Sequence, residues 1–232
     1  MRAALRVPAV LMIVVIGAAG AASCSQDAPE TAASDRPKTA APRPEPSKTR
    51  TAPRATDLPT HAVAGDERPS FGTADTMATG YTGKDFLTRL SKDWKLKLDE
   101  PVEQEMPDGK KRTYVHGRGA NGMTVSAGYA DHKNMSSLLC RTSTNRSDGF
   151  GFLASCTGLD VAGVDHGKAS SWLEQAKKET DSLYEKKVAE TGNKKEYVVS
   201  GVFTSGPVTM VLHRAYDKYS LRILGGAVAQ SK

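Results

Sequence analysis

The clearest pattern along the chain is a helical repeat of apolar positions between residues 168 and 188. Apolar side chains recur there at steps of three and four residues, with charged side chains between them, which is the spacing of one helix face. The repeat consists of Ala169, Trp172, Leu173, Ala176, Leu183, Tyr184 and Val188. Asp165 is placed to act as an N-cap, and Gly192 is a natural stop residue. The pattern predicts one long amphipathic helix.

A second, shorter helix is predicted over residues 83–94. Its apolar stripe is again one-sided and consists of Phe86, Leu87, Leu90 and Trp94. Thr82 and Asp85 have the spacing of a capping box, so Thr82 is the predicted N-cap.

The other apolar residues alternate with polar ones, which is typical of strands. Strands are predicted over residues 95–99, 111–118, 123–131, 136–142, 150–157, 196–204, 208–216 and 219–225. The Asn-Gly dipeptide in segment 119–122 predicts the turn of one hairpin, and the Asp-Gly dipeptide at 148–149 predicts another. A two-residue turn at 217–218 closes the last hairpin, in which His213 would lie opposite Arg222.

The order of these elements predicts an α+β fold, with a largely antiparallel sheet of hairpins, two packed helices and one disulfide. A helix followed by hairpins occurs twice, so a two-fold pseudo-repeat stays open. The alternative architecture is a curved sheet that wraps the long helix and leaves a ligand cavity.

The first residues of the chain have the layout of an export signal. Arg2 and Arg6 precede an uncharged run from Val7 to Ala22, and small residues end the run. The run has about 16 residues, fewer than the roughly 20 that a membrane-spanning helix needs. Export is therefore favoured over a permanent transmembrane helix.

The end of this signal, Ala21-Ala22-Ser23-Cys24, resembles the lipobox of bacterial lipoproteins, although Ala21 stands where that family usually has Leu. The resemblance implies cleavage before Cys24 and a diacylglycerol on its sulfur. Two acyl chains suffice for stable membrane anchoring. The composition also looks like that of exported lipoproteins of high-GC Gram-positive bacteria. The alternative is ordinary cleavage near Ala22, which would release a soluble protein.

These features predict three segments: a signal peptide over 1–23, a lipidated Cys24 with a disordered linker over 24–75, and one α+β domain over 76–232. Eight of the twelve prolines lie in the linker, which is otherwise small and polar. Such a composition cannot bury enough apolar area to fold. The linker is interpreted as a spacer, with a partner-binding polyproline segment at 42–46 as the alternative.

Two cysteines remain besides Cys24, namely Cys140 and Cys156. Because the protein is predicted to be exported to an oxidising compartment, the pair predicts a disulfide. The second predicted hairpin places the two residues almost opposite each other. A metal pair or a redox pair lacks support, because the chain has no C-x-x-C motif and no ligand set near these cysteines.

The charge of the chain is mildly basic. Removal of Arg2 and Arg6 with the signal would lower the formal charge from +6 to +4. This charge permits weak attraction to anionic lipid or cell-wall polymer. It does not indicate nucleic-acid binding, because export argues against it and no basic run is interleaved with aromatic residues.

No motif in the chain predicts catalysis, a metal site or a cofactor. The five histidines lack metal-ligand spacing, and no G-x-S-x-G sequence is present. Glu103 and Glu105 form a close pair that is interpreted as a solvated face. His116 and His213 are interpreted as ordinary surface or half-buried imidazoles. Trp94 and Trp172 are interpreted as core residues, with ligand stacking as the alternative.

The sequence therefore predicts a non-enzymatic protein on the extracytoplasmic face of the cell membrane, anchored by lipid at Cys24. Its predicted partner is an envelope protein or the cell-wall polymer. The alternative is a carrier or sensor of a small apolar ligand, held between the long helix and the sheet. The ligand-binding residues and the oligomeric state are left open.

Overall fold

A computed structural model of the protein describes residues 58–71, 74–106, 109–119, 122–226 and 229–230. In this part of the chain the helices are α1 (Lys84–Trp94), α2 (Gly149–Thr157) and α3 (His166–Thr191). The strands are β1 (Val63–Ala64), β2 (Ser70–Phe71), β3 (Leu96–Leu98), β4 (Val102–Glu105), β5 (Lys111–Gly119), β6 (Thr124–Tyr129), β7 (Met135–Ser143), β8 (Val198–Val199), β9 (Phe203–Ser205), β10 (Val208–Arg214), β11 (Lys218–Gly225) and β12 (Ala229–Gln230). The predicted signal, Cys24 and most of the predicted linker lie outside the described residues.

Ten of these strands form one antiparallel sheet with the order β1-β8-β10-β11-β7-β6-β5-β3. Strand β4 also pairs with β5, strand β9 also pairs with β10, and β2 and β12 form a separate antiparallel pair. The central pair, β7 and β11, joins the two halves of the chain, because each is the last strand that its helix-then-hairpin half contributes to this sheet. The predicted α+β class with a largely antiparallel sheet is confirmed.

The helices pack on one face of the sheet, here called the inner face, and build a single hydrophobic core. Phe86 of α1, Phe152 of α2 and Leu173 of α3 are buried against alternate residues of the central strands, such as Leu212 and Leu221. Each such side chain contributes about 1.5–3 kcal/mol by leaving water. The core therefore fixes which residues of each strand point inward, and the alternate residues occupy the outer face.

Helix α2 corrects the sequence analysis, which predicted a strand over 150–157 and a hairpin around residues 148–149. Phe152, Leu153 and Cys156 are all buried, which is a helical spacing. A short apolar run satisfies both periods, and length alone could not decide between them. The predicted disulfide between Cys140 and Cys156 is nevertheless present. It joins a strand to a helix and not two paired strands.

Three of the four ends of the two predicted helices, α1 and α3, agree with the sequence. Asp165 caps α3 by accepting a hydrogen bond from the Lys168 amide at 3.0 Å, and Gly192 ends it in a left-handed conformation. Trp94 ends α1 as predicted. The predicted capping box of α1 is wrong, because Gly83 is the N-cap, with a φ of 63°. This left-handed conformation favours glycine, and a Cβ there would also have to displace the end of the Met135 side chain.

The last hairpin has a different register from the predicted one. The amide of Ala215 donates to the carbonyl of Lys218, so the loop residues are 216–217 and not 217–218. His213 consequently lies opposite Ser220, and Arg222 lies opposite Val211. The shift is by an even number of positions, so each residue keeps its predicted side of the ribbon.

The predicted strand over 196–204 is divided into β8 and β9. Between them, the Ser200 hydroxyl accepts the hydrogen bond from the Leu212 amide at 2.9 Å, in place of a main-chain carbonyl. The Ser200 side chain thus interrupts the main-chain pairing of the strand, while the Leu212 amide keeps a hydrogen-bond acceptor.

The domain begins earlier than the predicted boundary at residue 76. Strand β1 pairs with β8, and the amide of Val202 donates to the carbonyl of Pro59 at 2.8 Å. The backbone of Thr60 approaches Gly201 so closely that a Cβ at this glycine would lie 2.3 Å from the Thr60 oxygen. The segment 58–71 is therefore part of the folded unit.

We expect Gly201→Ala to lower the free energy of unfolding by about 1–3 kcal/mol, because the added methyl group must displace backbone. Amide exchange should accelerate at Val202 and Gly65, whose hydrogen bonds hold the segment 58–71. Gly151→Ala is the control, because its Cβ would make only ordinary contact with Trp94 at 3.4 Å. Equal exchange in the two variants would contradict the packing of this segment.

Candidate functional site

The outer face of the sheet carries a cluster of basic residues on its three central strands. Register places Arg141 of β7 opposite Ser220 of β11, and Ser220 opposite His213 of β10. Arg222 follows two positions later on β11, on the same face. All four side chains therefore point away from the hydrophobic core.

These residues surround a pocket of about 420 Å³. Its walls are formed by Leu139, Arg141, Tyr197, His213, Ala215, Lys218, Ser220 and Arg222. At its rim the guanidinium of Arg68 lies over the Tyr197 ring, 5.7 Å from the ring centroid. We call this site the arginine pocket and define it by Arg68, Arg141, His213 and Arg222. Its volume lies within the range of small-molecule sites.

His213 forms the floor of the arginine pocket and is only 8% exposed. Its Nδ1 contacts the Tyr197 hydroxyl, whereas its Nε2 has no hydrogen-bond partner among the described residues. Burial, followed by the charges of Arg222, Arg68 and Arg141, lowers the pKa of His213 to about 3. The ring is therefore neutral at ordinary pH. When Tyr197 donates to Nδ1, the ring proton resides on Nε2.

The three arginines have no acidic partner in the part of the chain that the structure describes. The ion pairs found there use other cations, such as Arg89 and Arg214. Burial and the charges of Arg68 and Arg141 lower the pKa of Arg222, although a guanidinium stays charged in proteins. The arginine pocket thus concentrates positive charge without a counter-ion from the described residues.

We predict that His213 makes the stability of the protein sensitive to acid. Unfolding returns its pKa from about 3 to about 6.5, so the unfolded chain binds the proton first as the pH falls. The free energy of unfolding should fall by about 1.4 kcal/mol per pH unit within that window.

Urea unfolding of the wild type and His213→Asn at pH 6.5 and pH 4.5 measures this effect. Asn offers an amide oxygen to Tyr197 but has no titrating ring. Hydrogen bonds lower the pKa of Asp131, Asp148 and Asp165, but both proteins carry these carboxylates, so their titration cancels in the comparison. We expect the wild type to lose about 2 kcal/mol more than the variant. Equal losses would show that His213 does not titrate from a buried neutral state.

The sequence pattern does not reveal this pocket, because it indicates only an ordinary strand histidine at His213. It did place His213 and Arg222 on the same side of the last ribbon, which was the available signal. The contributions of Arg68 and Arg141 come from segments distant in the sequence, so no local pattern could reveal them.

The other residues singled out from the sequence lie apart from the pocket. His116 stacks on Tyr114, with 6.1 Å between ring centroids, and His132 Nδ1 lies 3.4 Å from a carboxylate oxygen of Glu103. Glu105 is exposed on β4. Across the described ranges, no group of three His, Cys, Asp or Glu residues could hold a metal ion.

The interface between α3 and the sheet, where the carrier alternative requires a cavity, is filled by side chains. Leu173 and Ala176 of α3 are buried in the same core as Met210 and Leu212 of β10. At its edge, Trp172 stacks on Phe203 with 5.4 Å between ring centroids. The arginine pocket lies on the opposite face of the sheet. A further pocket of about 470 Å³ beside α3 is open and lined largely by charged residues such as Lys178, Glu179 and Lys186, so the carrier alternative stays a prediction from the sequence.

Comparison with known proteins found no matching family model, curated sequence or solved structure for this chain. Within the described residues, no helix has the length and apolar character needed to cross a membrane. The properties of the arginine pocket are therefore the basis for assigning a function.

Proposed function

We propose that this protein is a non-enzymatic, lipid-anchored domain that binds an anionic envelope partner in the arginine pocket. The partner is an envelope protein or the cell-wall polymer, and the anchor is a diacylated Cys24 on the extracytoplasmic face of the cell membrane. The observation that carries the proposal is the convergence of three exposed arginines on a buried histidine, with no acid among the described residues to neutralise them.

The chemistry of the pocket supports binding more than catalysis. A guanidinium cannot act as a base, because it stays protonated at all physiological pH values. A general base works best with a pKa near the operating pH, whereas the pKa of His213 is held near 3. Ser220 lies opposite His213 on the neighbouring strand, but no hydrogen bond joins the two side chains. Recognition of negative charge is the function that these groups perform well.

The strand scaffold supports a fixed binding geometry. Arg141, His213 and Arg222 are held on three adjacent strands whose inner faces belong to the hydrophobic core. Their backbone positions are thus set before any partner arrives, which reduces the entropic cost of binding. The predicted linker would give the domain the reach to meet a partner beyond the membrane surface.

Thermal unfolding in a panel of anions tests the proposal. The full chain in nonionic detergent is compared with Arg141→Gln/Arg222→Gln at constant ionic strength, in acetate, succinate, sulfate, phosphate and dextran sulfate. Ligand that binds only the folded state raises the unfolding temperature. We expect at least one anion to stabilise the wild type more than the variant.

Sulfate and phosphate also stabilise proteins without binding to a site. A second double variant, Arg89→Gln/Arg146→Gln, removes the same charge from exposed or peripheral ion pairs and controls for this effect. The proposal fails if every anion shifts the wild type and both variants equally.

A further inference from the structure

The donors in the arginine pocket restrict the kind of anion that it can hold. This step rests on the proposed function and specifies its ligand. Each guanidinium offers up to five N–H donors in a rigid fork, and such forks match the oxygen spacing of carboxylates and phosphates. Three arginines, the Nε2 of His213 and the Ser220 hydroxyl together supply more donors than one carboxylate can accept.

We propose that the arginine pocket binds a phosphate group, in the form of a phosphate monoester dianion or inorganic phosphate. Its three or more terminal oxygens point in tetrahedral directions, so they can meet donors that come from different walls of the pocket. Arg141 and Arg222 flank the group from neighbouring strands, Arg68 closes it from the rim, and the Nε2–H of His213 donates from below.

His213 is the part of this arrangement that an ordinary surface patch would lack. Its Nε2 is a buried donor without a partner among the described residues, and a bound phosphate oxygen would satisfy it. Without a bound anion the His213 ring is neutral, so its Nε2–H can donate a hydrogen bond without adding to the charge repulsion among the arginines. A bound dianion would make the electrostatic potential around the His213 ring negative, which favours the protonated ring.

The remainder of the pocket indicates that the phosphate belongs to a larger molecule. Leu139 and Ala215 form an apolar part of the pocket wall, and the Tyr197 ring adds a flat face beside the arginines. A volume of about 420 Å³ exceeds what one phosphate ion occupies. The same phosphate chemistry is available from a monoester carried by the envelope partner, which a soluble ester imitates, or from a lipid headgroup.

Calorimetric titration of the full chain in nonionic detergent tests the proposal with four probes. These are inorganic phosphate, glycerol 3-phosphate, succinate as a dicarboxylate of similar charge, and phosphatidylcholine vesicles with and without phosphatidic acid. We expect glycerol 3-phosphate to bind at least tenfold more tightly than succinate. Arg141→Gln/Arg222→Gln should weaken that binding at least tenfold, whereas Arg89→Gln/Arg146→Gln should leave it unchanged.

NMR of the ¹⁵N-labelled imidazoles provides a readout that a merely structural role of His213 would not change. On addition of glycerol 3-phosphate, the Nε2 resonance of His213 should shift and the pKa of the ring should rise by about one unit or more. His116, which lies on β5 away from the pocket lining, is the internal reference.

The outcomes separate this proposal from the proposed function. Binding of the soluble esters supports a phosphate monoester on the envelope partner, and binding confined to vesicles that contain phosphatidic acid supports a lipid headgroup. Succinate binding that equals or exceeds phosphate binding overturns the phosphate assignment and leaves an anion-binding domain. If no probe binds and no anion of the panel discriminates the variants, both the assignment and the proposed function fail.

Discussion

Replacement of Asp181 by alanine is expected to lower the free energy of unfolding by about 3 kcal/mol, the largest loss we predict for one side chain. Asp181 lies on α3, with its side chain 25% exposed, and joins the helix to β10 and β11. It accepts from Lys177 Nζ at 2.8 Å, from Arg214 Nε at 3.0 Å and from the Tyr219 hydroxyl. Removal of one member of such a network leaves the other charges unpaired in a desolvated site.

The interactions around Asp181 favour its charged carboxylate form. Burial alone would raise the pKa of Asp181, but the hydrogen bonds from Lys177, Tyr219 and Arg214 outweigh it and lower the pKa below 3.8. The Arg214 guanidinium also stacks on Tyr184, 4.2 Å from the ring centroid, and so depends on being held in place. Loss of Asp181 therefore disturbs packing as well as charge.

Chemical denaturation of Asp181→Ala and Asp160→Ala measures the effect. Asp160 pairs with Arg89 at 3.0 Å, but both side chains are more than half exposed, so this pair is worth less than about 1 kcal/mol. A loss at Asp181 no greater than that at Asp160 would contradict the network as the link between α3 and the sheet.

Removal of the disulfide is the second large effect that we predict. Cys140 and Cys156 are completely buried and close a loop with a sequence separation of 16 residues. In the chain-entropy description, a loop of this length stabilises the fold by about 3 kcal/mol. Cys140→Ala/Cys156→Ala should therefore unfold about 6–12 °C below the wild type.

Denaturation with and without reductant distinguishes the cross-link from packing. The wild type should lose stability when a strong reductant is present, whereas the double variant should not respond to it. A small additional loss in the variant is expected from the buried sulfur atoms that Ala does not replace. If reductant leaves the denaturation midpoint of the wild type unchanged, the disulfide does not contribute as described.

The sequence predicted those elements whose period persists over many residues. The repeat over 168–188 became α3, and its caps Asp165 and Gly192 are as expected. Strands β5 and β6 pair as predicted for the same reason, because the alternation of the sequence continues on both sides of the Asn-Gly dipeptide. In these segments local preference and tertiary packing favour the same structure.

Short segments were less predictable because two periods fit them equally well. Residues 150–157 satisfy both strand alternation and helical spacing, and only their packing against β7 and α3 selects the helix. Interruption of the predicted strand over 196–204 likewise depends on a partner, since Ser200 replaces a main-chain acceptor for Leu212. Neither choice is encoded in the segment alone.

The candidate site could not be predicted from the sequence, because its residues come from segments that are far apart along the chain. Arg68 precedes the predicted boundary of the domain, Arg141 lies on β7, and His213 and Arg222 lie on the last hairpin. Alternation fixes the face on which each strand residue lies, but only the order of the strands in the sheet makes these residues neighbours.

We propose a membrane-tethered domain that binds an anion in the arginine pocket. Native, non-reducing mass spectrometry of the protein extracted from its own membranes tests it, with spectra recorded before and after addition of glycerol 3-phosphate. We predict an acylated chain that begins at Cys24, is two hydrogens lighter than the reduced form, and gains one ester molecule that Arg141→Gln/Arg222→Gln does not gain. An unacylated chain with a different first residue, and equal adducts on wild type and variant, would contradict the account.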